Sequence, residues 1–145
     1  MKKGFLEALW HTPELSRLSR YTMYNGMLYM GLGAAMLTLP IDWLGIPMMQ
    51  ESWVGREEGY FRMMGLCLTV VGWFYYMGGR TGAESFGLST VVDRALVPFV
   101  LGGLWAAGKV TLPMVAGIGI LDPALAFGAW WIWSREQAGE PNSET

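Results

Sequence analysis

The stretch Tyr21–Leu39, YTMYNGMLYMGLGAAMLTL, decides the fold. It holds no charged side chain and it ends at Pro40. A helix of about 20 apolar residues, rising 1.5 Å per residue, matches the ~30 Å hydrocarbon core of a bilayer. Tyr21 and Tyr24 stand at one end and Trp43 just beyond the other, where amphipathic rings sit at a membrane–water interface. The reading is a first transmembrane span.

Three more stretches read the same way. The second, Tyr60–Gly79, has Arg62 just inside its start, where a long side chain can reach outward. It stops at Gly78-Gly79-Arg80. The third, Thr90–Ala107, opens with Asp93 and Arg94 and contains Pro98. Its uncharged part is short, so both charges must lie near headgroups or pair inside the protein. The fourth, Val110–Trp133, carries Asp122-Pro123 at its middle. Either the helix is kinked or broken there, or Asp122 caps a new helix with Pro123 at its first position. Because Pro123–Trp133 alone is too short to cross, the kinked or broken span is favoured.

The predicted fold is therefore all-α, an integral membrane four-helix bundle over residues 21–134. Its spans are 21–39, 60–79, 90–107 and 110–133. A cytoplasmic or interfacial segment, 1–20, precedes it, and a disordered tail, 135–145, follows. Within the first segment Thr12-Pro13-Glu14 reads as a helix start that runs on into the first span. The start Met1-Lys2-Lys3 is not followed by an apolar run of signal-peptide length, so no cleaved signal is expected. Residues 81–89 read as a short polar loop, and no internal repeat aligns.

Composition agrees. The chain is 52% hydrophobic and 15% charged, with 20 Gly, 8 Trp and 11 Met among 145 residues; ordinary soluble proteins are about 25% charged. Buried helices of a soluble all-α protein are the alternative, but such long uncharged stretches would strain one small core. A net charge of −2 without a basic stripe argues against nucleic acid as a partner. The partners expected are the lipid bilayer and other membrane subunits, or a second copy of the chain. Lys2, Lys3, Arg17, Arg20, Arg80, Arg94 and Arg135 fall on one side of the spans, and Arg56, Arg62 and Lys109 on the other. Seven against three places both termini in the cytoplasm.

Few residues suggest chemistry. No catalytic constellation, cofactor motif or metal pattern is present, so neither a cofactor nor a metal is expected. Asp122 is the most informative residue, because a charge in hydrocarbon costs ~2.5–3.5 kcal/mol on insertion scales. It is either a binding or proton-carrying carboxylate, with Arg62 or Arg94 beside it, or a helix cap or structural ion pair. Arg80 and Arg94 form a second group, either a cytoplasmic site for a lipid phosphate or other anion, or simple positive-inside anchors. Met23, Met27 and Met30 share a helix face, which suits packing better than Cu(I) ligation. The small pairs Gly102/Ala106, Gly103/Ala107 and Ala124/Gly128 permit close helix approach. Trp130-Trp131-Ile132-Trp133 reads as an interfacial aromatic belt, with a platform for a quinone or sterol as the alternative. Cys67, alone in an apolar stretch, reads as a buried small hydrophobe.

Four short spans, the glycine-rich text from Phe61-Arg62-Met63-Met64-Gly65 to Gly72, and Arg94 at the start of the third span resemble small four-helix bacterial membrane proteins of the DoxX-like and related families. The resemblance covers roughly Tyr21–Trp133. It implies a bacterial inner-membrane protein, in some cases an accessory subunit, and carries over no catalytic residue. Function then reduces to a non-catalytic accessory or interaction subunit, or else a carrier or binding protein for a small or lipophilic ligand. A lipid-modifying enzyme ranks last.

Overall fold

The computed structural model describes residues 14–40, 56–110 and 112–139. Among them are four helices and no strand: α1 (Arg17–Thr38), α2 (Arg56–Arg80), α3 (Glu84–Ala106) and α4 (Leu112–Gly139). The all-α four-helix architecture expected from the sequence is present. One of these helices, α3, is long and apolar enough to cross a membrane by length and composition. In α1 and α2, positions taken by Gly, Tyr, Asn and Thr dilute the hydropathy.

The helix ends differ from the expected ones. Ser16 caps α1, its hydroxyl accepting from Ser19 N–H at 3.0 Å. The helix thus starts at Arg17, not as a run from Pro13; the cap expected at Thr12 lies outside the described residues, as do the connection 41–55 and residues 140–145. At the other end Arg62 of α2 donates to the carbonyls of Leu37 (2.6 Å) and Met36 (3.3 Å). This satisfies orphan carbonyls and puts a cation at the negative end of the helix dipole. Glu58 holds Arg62 in place at 2.6 Å.

The loop expected over 81–89 shrinks to Thr81–Ala83. Gly82, at φ 69°, reverses the chain, and Glu84 already lies in α3, where its carboxylate suits the first turn. After α3, Gly108 at φ 66° gives the Gly108→Trp105 and Lys109→Leu104 bonds, 2.8 and 2.9 Å, of a left-handed helix stop. The fourth helix runs unbroken through Asp122-Pro123 to Gly139. The cap reading of Asp122 is overturned, while the favoured reading, a kinked or broken span, is met in part: the helix is continuous and the Asp122 carboxylate is buried. Residues 135–139 belong to the helix rather than the tail.

Neighbouring helices run antiparallel. The α1–α2 pair is by far the most extensive, followed by α3–α4, while the two pairs touch each other sparingly. Glycines spaced by seven build the tight seam: Gly26 lies on Gly72, Gly33 on Gly65, and Gly79 on the Ser19 carbonyl. Met23 and Met30 pack over Gly79 and Gly72, while Met27 points outward. The close approach that Gly102 and Gly103 permit is not made among the described residues, where nothing lies within 4 Å of a Cβ built on either. Cys67, expected to be buried, is exposed.

The interior is unusually polar. Buried side chains include Leu18, Phe61 and Tyr75, but also Ser19, Thr22, Asn25, Thr90, Arg94 and Asp122. Large apolar side chains such as Phe74, Phe99, Val100, Ile120 and Phe127 lie on the outside.

Candidate functional site

Helical spacing creates the site. On α1, Thr22, Asn25, Gly26 and Tyr29 recur at three and four residues and share the buried face. On α3, Gly87, Thr90 and Arg94 do the same. The tight α1–α2 seam brings Tyr75 beside Tyr29, their rings edge to face at 5.7 Å and 69°. Phe86, from the first turns of α3, supports Tyr75 from its other side at 6.4 Å and 82°.

Arg94 lies against both rings. Its guanidinium carbon lies 4.7 Å from the Tyr75 centroid and 5.4 Å from that of Tyr29. Both are cation–π distances, and the attraction is stronger where water is excluded. The Tyr29 hydroxyl donates to Asp122 Oδ1, and the Tyr75 hydroxyl donates to Asp93 Oδ2. Each helix therefore supplies at least one member: Tyr29 from α1, Tyr75 from α2, Asp93 and Arg94 from α3, Asp122 from α4.

The side chain of Arg94 is 1% exposed, yet among the described residues Nε, Nη1 and Nη2 find no hydrogen-bond partner. Asn25 Nδ2, one turn from Tyr29, is also buried without one. A buried donor left unsatisfied costs ~1–3 kcal/mol, and more when charged. Both rings approach the guanidinium from one side, and its N–H groups, pointing outward in its plane, are left buried and unpartnered among the described residues.

The residues expected from the sequence separate into three places. Asp122 and Arg94 do meet, through Tyr29 rather than through a direct ion pair. Arg62 does not join them; it serves the end of α1. Arg80 stands at the last position of α2, over the Tyr76 ring at 5.7 Å and 3.4 Å from its hydroxyl. Arg94 lies ten positions along α3, roughly 15 Å from the start of that helix. The expected Arg80–Arg94 anion site at one end is therefore not assembled, because α3 begins earlier than the loop reading allowed. Tyr29, Tyr75, Asn25 and Thr90 went unnoticed in the sequence. The available signal was a tyrosine at the centre of an uncharged stretch, far from either interface.

At the end of the bundle holding both outer helix ends, Glu136 accepts from Arg17 N–H at 2.6 Å. Glu84 accepts from Trp133 Nε1 and from Gln137 Nε2 at 3.3 Å. Arg135 covers Trp131 at 4.6 Å. No group of three or more His, Cys, Asp or Glu able to hold a metal occurs among the described residues.

Fold and site together define an all-α four-helix bundle with a charged, aromatic-lined centre. No family model, curated protein or solved structure matches this chain.

Proposed function

We propose that the chain is a multi-pass integral membrane protein, with all four helices crossing the bilayer, that binds a small or lipophilic ligand at the Arg94–Asp122 centre. The observation that carries the binding reading is the fully buried guanidinium with three unpartnered nitrogens. An intramembrane ionisable group is a functional site by default, and this one is buried with its nitrogens unpartnered among the described residues.

Two features support the membrane reading. Polar and small side chains fill the interior while large apolar ones face out, the reverse of a water-soluble fold. The helices are 22, 25, 23 and 28 residues long, so each spans ~30 Å or more. Arg17, Arg20, Arg80 and Arg135 lie at one end, and Arg56, Arg62 and Lys109 at the other. Moving Arg94 from the end to the centre leaves six basic residues against three, Lys2 and Lys3 included, which still favours cytoplasmic termini.

The test is purification from native membranes in mild detergent, followed by mass spectrometry of the intact particle. A stoichiometric small molecule that is lost in a folded Asp122→Asn variant supports binding. A stoichiometric protein partner and no small molecule supports the second reading, an accessory subunit. That reading draws on Gly102 and Gly103, whose open surface beside the 78%-exposed Phe99 leaves room for a helix from another chain.

A further inference from the structure

The chemistry of the centre narrows the ligand, provided the binding reading above holds. Arg94 has donors only, and none on its three nitrogens has a partner among the described residues. The two tyrosine hydroxyls are already directed at carboxylates. The ligand must therefore present an acceptor oxygen. One guanidinium and two carboxylates leave the centre with a formal charge of −1, so an anion would enter against Asp93 and Asp122. A neutral carbonyl oxygen meets the donors without adding charge.

The α2–α3 side of the centre is a loosely packed one. On α3, Phe86, Asp93, Val97 and Val100 follow one another along the side turned to α2, as their spacing requires. On α2 the matching line is Gly78, Tyr75 and Val71. Gly78 meets Phe86, and Tyr75 meets both Phe86 and Asp93. Val71, one turn from Tyr75, is 41% exposed, and Val100, two turns from Asp93, is 61% exposed. These two helices, although consecutive, pack far less than the pairs α1–α2 and α3–α4. This loosely packed side carries exposed apolar side chains next to the Asp93–Tyr75 pair, and Asp93 is itself exposed.

We propose that Arg94 holds the carbonyl oxygen of a neutral, lipid-soluble molecule that reaches it from the bilayer between α2 and α3. The carbonyl belongs either to an ester lipid of the membrane or to a free long-chain ketone or amide.

The experiment measures equilibrium binding of radiolabelled dioleoylglycerol, 2-tridecanone and decanoate to the full chain in dodecyl maltoside. Wild type is compared with Arg94→Met and Val71→Trp. Binding of the ester or the ketone is expected, weakened about tenfold or more by Arg94→Met. Val71→Trp, at an exposed position that folding tolerates, is expected to weaken it as well by crowding the α2–α3 side. Binding of the ester alone assigns the carbonyl to a membrane lipid; binding of the ketone assigns it to a free carbonyl compound. Decanoate binding more tightly than both neutral probes overturns the neutral-carbonyl inference but leaves a ligand site standing. Neutral-probe binding untouched by both substitutions overturns the Arg94 assignment. No binding of any probe, with no small molecule on the native particle, overturns both this inference and the reading beneath it.

Discussion

Replacing Gly26 with alanine tests whether the α1–α2 seam organises the site. A Cβ at Gly26 would stand 2.6 Å from the Gly72 carbonyl oxygen and 2.9 Å from the Tyr76 Cα. Carbon pairs favour ~3.5–4.0 Å, so the second contact is short by roughly 0.6–1.1 Å. Both obstacles are backbone, which cannot rotate aside, so the helices must separate. Overpacking of this kind costs ~1–3 kcal/mol. Gly31, in the same helix, has nothing within 4 Å of its Cβ position. Both substitutions gain the same helix propensity, about 0.5–1 kcal/mol. The difference between them therefore isolates the steric term: Gly26→Ala should be less stable than Gly31→Ala by ~1–3 kcal/mol. Reversible unfolding in mixed dodecyl maltoside–SDS micelles, followed by tryptophan fluorescence, reads it directly. Equal stability of the two variants would refute the seam.

Three shorter tests follow. Tyr29→Phe removes the donor to Asp122 and should cost ~1–3 kcal/mol; in a double-mutant cycle with Asp122→Asn the two losses should not add, and additivity would mean the hydrogen bond carries no energy. Arg62→Met exposes the last carbonyls of α1 and should cost ~0.5–1.5 kcal/mol in thermal unfolding while leaving ligand affinity unchanged; loss of affinity in a folded variant would return Arg62 to the site. Gly102→Leu should leave particle mass unaltered if α3 faces only lipid, and should dissociate a complex if another helix packs there, which size-exclusion chromatography with light scattering distinguishes.

The four helices were legible because each leaves a long stretch without charge. Their ends were not. Hydropathy marks the apolar middle of a helix, whereas the helix itself continues until a cap stops it. Arg17, Arg20, Arg56 and Glu84 therefore lie inside elements that charge alone would have ended. Asp122-Pro123 has the local grammar of a cap, and only the distant Tyr29 hydroxyl, on another helix, makes the unbroken form acceptable. The spacing of Gly65, Gly72 and Gly79 was present in the text. Which small residues meet a neighbour depends, however, on how each helix is rotated, and that is why Gly102 and Gly103 attracted attention instead. Arg62 and Arg94 look alike as single charges near the starts of spans. Depth separates them: one reaches the frayed carbonyls at a helix end, and the other is ten positions inside a longer helix.

That depth makes the energetics of Arg94 the sharpest remaining test. In the ligand-free protein its three nitrogens are unsatisfied, each at a cost of ~1–3 kcal/mol. Its two ring contacts return ~2 kcal/mol or somewhat more. Replacement by methionine removes both contributions and leaves Asp122 and Asp93 with their tyrosine donors. Arg94→Met stripped of bound molecules should therefore unfold no earlier than stripped wild type. Saturating ligand reverses the order, because a ligand at a hundred times its Kd stabilises the wild type by ~2.7 kcal/mol and the variant hardly at all. If instead the stripped variant loses ~3–5 kcal/mol, the signature of breaking a buried ion pair, then Arg94 already has its partner in the two carboxylates. Its role is then to hold the helices together, and the centre of the bundle is a structural clasp with no vacancy for a ligand.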